Sequence, residues 1–297
     1  ERKMRRAAVF AHYDKDRIID DYVIYYLKSL KEIFDNIVFV SCLEIPKEEI
    51  AKLDGIADYV ICENHNEYDF GSYKRGYFYL AANGLDEKFD ELAFINDSCY
   101  GPLYPLKPVI EQVGDCDFWG ITRNLEWREH IQSFFMVFKK QVFKSEVFKD
   151  FMASIEEETD KLDIVTKYEI GLSRLLLENG FNFDYAVKYN PRYRSNITIF
   201  KWREAILKYH MPLLKCSLLR GKNTFHTTIV DWEKVIPDCY PIELIKKNIE
   251  RTREKVIDCK RFKTARLFIF DIVGNLRKTP RRIFQNLIKY CLPFLSD

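Results

Sequence analysis

Short apolar runs alternate with amphipathic segments of helical length over the first hundred residues, and this constrains the chain most. Residues 6–11 (RAAVFA) read as a buried strand. Residues 17–34 then carry Ile18, Ile19, Tyr22, Val23, Tyr26, Leu27, Leu30 and Phe34 at helical spacing. Residues 37–40, 57–62 and 91–95 read as further strands. A short helix is predicted over 45–53, opened near Pro46, and a longer one over 70–83. Farther on, 117–122 and 129–138 read as strands and 144–158 and 163–178 as helices, the second closed by Asn179-Gly180. Residues 181–187 return as a strand, and 188–240 read as irregular. Strands alternating with helices predict an α/β fold with a mostly parallel sheet flanked by helices. Such sheets bind ligands just beyond the carboxyl ends of their strands.

The composition, 47% hydrophobic and 31% charged over 297 residues, is that of a globular chain with ample material for a core. Its net charge of +2 argues against a dedicated nucleic-acid binder, and no nucleic-acid partner is expected. The total hides an asymmetry. Residues 246–290 hold 14 Lys+Arg against 4 Asp+Glu, a local +10, and the remainder carries −8. We therefore expect a domain over 1–240 and a basic, amphipathic helical extension over 241–297. No stretch approaches about 18 uncharged apolar residues, so no membrane-spanning helix is expected. The first apolar run is too short for a signal-peptide core, and a cytoplasmic setting is expected. The eight cysteines are widely spaced, with no CxxC pair, and read as reduced thiols. No GxGxxG follows the first strand. Gly221-Lys222-Asn223-Thr224 lacks the upstream glycine of a P-loop, Cys216 standing there instead.

The loops after the strands are polar and acidic. Strand one is followed by His12-Tyr13-Asp14, strand three by a loop reaching Tyr68-Asp69-Phe70-Gly71, and strand four by Asn96-Asp97-Ser98. An acid after the fourth strand is where nucleotide-sugar transferases of the GT-A fold hold a divalent ion against the donor diphosphate. Asp97 is the candidate ligand for Mg²⁺ or Mn²⁺, with Ser98 offering only a hydroxyl. A second acid two residues on is missing, because Cys99 stands there. Asp97 and Ser98 would equally cap a turn. Asp69 can bond a ribose or base edge or act as an N-cap, Lys74 can neutralise diphosphate, and His12, Tyr13 and Asp14 fit the nucleobase side. Glu169 opens an amphipathic helix that ends at Gly180. It is the candidate base for an inverting transfer, against the plain reading of a helix-start acid. His130 and Gln132 can read sugar hydroxyls, and Trp119 and Trp127 can offer flat faces to sugar rings. His210 and His226 are candidates for a late metal ligand.

Several of these segments, in this order, resemble the rhamnan synthesis protein F family of bacterial glycosyltransferases. They are Val9-Phe10-Ala11-His12-Tyr13-Asp14, Ile19-Asp20-Asp21-Tyr22-Val23, Tyr68-Asp69-Phe70-Gly71-Ser72-Tyr73-Lys74 and Asn96-Asp97-Ser98-Cys99-Tyr100-Gly101-Pro102. Phe118-Trp119-Gly120-Ile121-Thr122, His130-Ile131-Gln132-Ser133-Phe134 and Tyr168-Glu169-Ile170-Gly171-Leu172-Ser173 complete the set. The resemblance covers about residues 7–220. It implies a GT-A-like enzyme acting in cell-surface polysaccharide assembly, with dTDP-L-rhamnose as donor and a growing lipid-linked glycan as acceptor at the cytoplasmic membrane face. One departure is Glu67, where the family usually carries glycine, and a bulkier acid there reshapes the donor pocket. The apolar segments 266–273 and 283–292, with basic residues 277–282 between them, can lie on an anionic membrane surface. A transferase with another nucleotide-sugar donor, or a non-catalytic scaffold of the assembly complex, are the alternatives.

Overall fold

The computed structural model describes residues 3–190, 192–220 and 227–252. Its strands are β1 (Arg6–His12), β2 (Asn36–Ser41), β3 (Tyr59–Cys62), β4 (Glu91–Asn96), β5 (Cys99–Tyr100), β6 (Phe118–Gly120), β7 (Arg123–Asn124), β8 (His130–Ile131), β9 (Phe135–Lys139), β10 (Phe183–Tyr185) and β11 (Leu214–Lys215). Its helices are α1 (Asp21–Lys31), α2 (Lys47–Ile50), α3 (Tyr68–Ala82), α4 (Leu106–Ile110), α5 (Lys140–Phe143), α6 (Glu146–Ala153), α7 (Lys161–Asp163), α8 (Gly171–Glu178), α9 (Ile197–Phe200), α10 (Trp202–Tyr209) and α11 (Glu243–Thr252). Seven strands form one sheet in the order β10-β6-β9-β4-β1-β2-β3. Every neighbouring pair is parallel except those made by β9, which runs antiparallel to β4 and β6. The mostly parallel, helix-flanked sheet expected from the alternation of runs is the architecture found.

Strand β1 is central and is buried on both faces, which explains its uninterrupted apolar run. Its side chains alternate between two cores. Ala8 and Phe10 pack with Tyr26, Leu27 and Leu30 of α1. Ala7, Val9 and Ala11 face Tyr73 and Leu80 of α3 and Phe148 of α6. Helix α3 lies close against the sheet. Tyr73 stacks on Phe94 of β4 with ring centroids 4.7 Å apart, and Gly76 meets Val9 of β1. That packing carries the first turn of α3, with Asp69, to the carboxyl ends of β1 and β4.

Three departures from the sequence pattern have local causes. The first helix begins at Asp21 rather than 17, because Arg17 takes φ +61° in a turn whose N–H bonds the Asp14 carbonyl at 3.0 Å. The run 129–138 is two strands. β8 pairs with β7 in a separate ribbon, and β9 enters the sheet. The helical stretch 163–178 widens into a π-helical segment over Ile164–Ile170 before α8. Residues 188–240 contain α9, α10 and β11, the last paired antiparallel with β5.

Helix α11, from the start of the basic extension, buries Ile245 and Asn248. Asn248 accepts from the Tyr100 hydroxyl at 2.6 Å, and Arg251 grips Asp14, Asp16 and Asp20 after β1. The apolar and basic segments over 266–292, His226 and the stretch 221–224 lie outside the described residues. Among the described residues, no helix is long and apolar enough to cross a membrane.

A methyl group on Gly76 would sit 2.3 Å from Val9 Cγ1. Gly→Ala inside a helix ordinarily gains about 0.5–1 kcal/mol, whereas overpacking costs about 1–3 kcal/mol. We expect Gly76→Ala to melt a few degrees below the native chain. A melting temperature at or above the native value would show that α3 is not held this tightly.

Candidate functional site

One buried side chain stands at the carboxyl end of β4, that of Asn96, which is 2% exposed. Its Nδ2 donates to Asp69 Oδ2 at 2.8 Å. Its Oδ1 accepts from the Ser98 backbone at 3.1 Å and from the Ser98 hydroxyl at 2.6 Å. Its own backbone N–H donates to the Phe134 carbonyl at 3.3 Å. A single residue thus ties, through its side chain and backbone, the start of α3, the β4–β5 turn and the segment entering β9. Asp97 follows. Its backbone N–H bonds the Ala11 carbonyl, and its Oδ2 accepts from the Tyr13 N–H at 3.0 Å. The Tyr22 hydroxyl donates to its carbonyl at 2.8 Å.

Asp97 is almost wholly buried, and burial pushes its carboxyl up to about 7, although the Tyr13 N–H and the charge of Arg220 favour the anion. His12 Nε2 lies 3.8 Å from Asp97 Oδ2, but burial depresses that imidazole to about 4. At neutral pH His12 is uncharged, so this contact is not an ion pair.

Glu169 has the opposite character. The π-helical segment is anchored by Tyr168, whose ring packs 5.6 Å from Phe70 and whose hydroxyl donates to Glu158 at 2.9 Å. The widened turn aims Glu169 at the β8–β9 connection, a placement often found at functional sites. Glu169 Oε2 accepts from the Ser133 N–H at 2.8 Å and from the Ser133 hydroxyl. Oε1 lies 3.4 Å from His130 Nε2. Burial alone would raise this carboxyl, but the bonds from His130 and Ser133 outweigh it and hold it below the ordinary 4.5. Burial works against the His130 cation too, yet Glu169 prevails and lifts that ring above 6.5. His130 Nδ1 lies 2.7 Å from the Arg128 carbonyl and donates to it, and in the cation Nε2 carries the second proton and faces Glu169. The Tyr73 hydroxyl donates to the Ser133 carbonyl at 2.9 Å, and Ser133 adjoins Phe134, which accepts from Asn96. The two acidic clusters are therefore parts of one edge.

The other candidates fall in different places. Ser98 is bonded to Asn96 and to Lys215. Tyr13 is 56% exposed beside Asp97, and Tyr68 is 46% exposed beside Asp69 at φ +53°. Asp14 is engaged by Arg251 and turns away from a nucleobase role. Its pKa is lowered because bonds from Arg251 outweigh burial. Lys74 donates to the Ile155 carbonyl at 2.6 Å and pairs with Glu67 at 3.7 Å, so it is committed to the α3–α6 contact. Trp119 is a correction to the expected sugar platform. It lies in the core, 3% exposed, with its ring 5.8 Å from Phe135, because its strand β6 is covered on that face. Trp127, 58% exposed, is the aromatic that remains open. Gln132 Oε1 is taken by the Thr122 hydroxyl at 2.7 Å. His210 ends α10 against Tyr104, 5.3 Å between ring centroids. The sequence pattern does not mark Asn96, Ser133 or Lys215: the first two lie inside motifs dominated by their neighbours, and Lys215 lies in a segment without periodicity.

The divalent ion implied at Asp97 finds a poor donor set. A hard ion of this kind takes several oxygen ligands. Asp97 Oδ2 is already occupied by the Tyr13 N–H, and position 99 is a buried thiol whose pKa burial raises. Among the described residues, no three His, Cys, Asp or Glu side chains are grouped to hold an ion. These residues do not fit a protein-built divalent site.

A polar, carboxylate-bearing edge at the ends of parallel strands defines a ligand-binding α/β protein. The chain belongs to the rhamnan synthesis protein F family, which matches residues 37–273. It is 27% identical over 173 residues to the virulence protein VirA of Vibrio anguillarum, covering 57% of this chain and 55% of that protein. The chain thus spans about half the length of the curated relatives it matches. Similar solved structures include the glycosyltransferase GlyE of Streptococcus pneumoniae (13% identity, 86% of this chain, 66% of that one, TM-score 0.43). Another is a cytidylyltransferase of Leptospira borgpetersenii (15% identity, 86% and 99%, TM-score 0.39).

The Glu169–His130 pair has a defined pH window. The His130 contribution is complete below pH 6.5 and is lost as pH rises through its raised folded value. The Glu169 contribution holds above pH 4.5 and is lost as pH falls through its lowered one. The pair therefore favours the fold most between about pH 4.5 and 6.5. NMR titration should place His130 above 6.5 in the native chain and lower in Glu169→Gln, which loses the carboxylate that lifts it. An unmoved midpoint would refute the pairing.

Proposed function

We propose that the chain is a GT-A-like glycosyltransferase of cell-surface polysaccharide assembly. It transfers a sugar, L-rhamnose from dTDP-L-rhamnose, onto a growing lipid-linked glycan with inversion at the anomeric carbon. Family membership supports the class. The observation that carries the mechanism is a half-buried, anionic Glu169, fixed by Ser133 and His130 on the same edge as Asp97.

Inverting transfer needs one carboxylate that takes the acceptor's proton as its oxygen attacks the anomeric carbon. Glu169 Oε1 takes that proton. The new bond forms between the acceptor oxygen and the anomeric carbon. The bond from that carbon to the diphosphate breaks, and its electron pair leaves with the phosphate. Ser133 holds Oε2, and the hydroxyl meets Oε1 beside His130, which fixes the carboxylate's orientation. Asp69 and the His12–Tyr13 segment bind the nucleotide, with Tyr13 and Tyr68 as open rings beside it. Asp97 takes a donor hydroxyl, and Gln132 and Trp127 meet the sugars. The chain would work at the inner face of the bacterial plasma membrane, with the basic residues of 246–290 against anionic headgroups.

A second reading changes only the donor. Glu67 pairs with Arg75 and Lys74 where the family usually has glycine, and this favours testing UDP- and GDP-sugars beside dTDP-rhamnose.

Glu169→Gln should cut transfer by about 10²–10⁴-fold while leaving nucleotide-sugar binding near native. Nucleoside diphosphate release and acceptor elongation report the first quantity and calorimetry the second. Transfer within a few-fold of native would remove Glu169 as the base.

A further inference from the structure

A departing diphosphate needs positive charge, and the described residues do not build a divalent site at Asp97. A cation from a distant part of the sequence occupies the neighbouring space. Lys215 lies on β11, and the antiparallel β5–β11 ribbon sets it opposite Cys99. That is the position where an acidic pair with Asp97 would carry its second carboxylate. Lys215 Nζ donates to the Ser98 hydroxyl at 3.2 Å and lies 4.2 Å from the centroid of the Phe134 ring. Ser98 in turn bonds Asn96, so the ammonium joins the network that holds Asp69. Among the described residues, Lys215 has no carboxylate within ion-pair reach. An ammonium has three donors, and here one has a protein acceptor. A partly buried cation is ordinarily paired, so an anion is expected beside this one.

We infer that Lys215 binds the donor's diphosphate directly and supplies charge that a metal ion would otherwise bring to the leaving group. This rests on the reading of the chain as a nucleotide-sugar transferase. In the transfer step Lys215 forms no covalent bond. It donates hydrogen bonds to the diphosphate oxygens, on which charge accumulates as the bond to the anomeric carbon breaks. A lysine serves here as a compact point charge that can track the phosphate as it departs.

The test is calorimetric titration of the full chain with dTDP, UDP and GDP, each against its own nucleoside, in EDTA. The inference expects the native chain to bind one diphosphate in EDTA, much more tightly than the nucleoside. Lys215→Met should weaken diphosphate binding about tenfold or more and leave nucleoside binding unchanged, which also shows that the variant is folded. Lys215→Arg should retain most of the affinity. Should Lys215→Met fail to fold, Lys215→Gln keeps a donor for Ser98 and carries the same comparison. Native diphosphate affinity in the Met or Gln variant would overturn the inference. So would binding to the native chain that EDTA abolishes and Mn²⁺ restores. If the native chain binds no nucleoside diphosphate in either buffer, the transferase reading itself falls, and the inference with it.

Discussion

The site depends on the hydrogen bonding of one buried amide. A buried amide left unsatisfied is costly, so its partners are effectively dictated once it is enclosed. Asn96 satisfies its side chain with Asp69 and Ser98 and its backbone N–H with Phe134. Those partners come from α3, from the β4–β5 turn and from the segment leading into β9. The sheet places them near one another, and the amide sets their register. Helix α3 can deliver Asp69 only because Gly76 admits Val9 and Tyr73 stacks on Phe94.

On this frame two carboxyl groups are pushed in opposite directions. Asp97 gains one backbone donor against nearly full burial, so burial prevails and it is partly protonated near neutral pH. Glu169 is half-buried, but His130 and Ser133 over-compensate, and it stays anionic. Environments that separate two carboxyl groups in this way assign them different work. Glu169 suits proton abstraction from a hydroxyl. Asp97 suits hydrogen bonding to a neutral group.

The sheet was legible in the sequence because β1, β2 and β4 are buried and their apolar runs are uninterrupted. The acids of the strand-end loops were legible for the same reason, since strand ends locate loops. Contacts made across long sequence separations were not. Arg251 claims Asp14 from more than two hundred residues away, and Lys74 turns to Ile155, so two residues of suitable charge serve packing. Trp119 matched the chemistry of a sugar platform, but its place on β6 buries it. Lys215 sits in a two-residue strand with no periodic pattern, and only its pairing with Cys99 reveals its relation to Asp97. The π-helical turn that aims Glu169 left no mark in a pattern that reads as ordinary helix.

The central claim is that the Asn96 edge is one site, with nucleotide on the Asp69–Asp97 side and the transferred sugar toward Glu169. A crystal structure of the full chain with an unhydrolysed nucleotide-sugar analogue tests it most directly. The account predicts the diphosphate beyond the ends of β1 and β4, alongside Ser98, with the anomeric carbon facing Glu169 Oε1 across a gap that admits one hydroxyl. A nucleotide bound on another edge of the sheet, or an anomeric carbon that Glu169 cannot reach through an intervening hydroxyl, would contradict it.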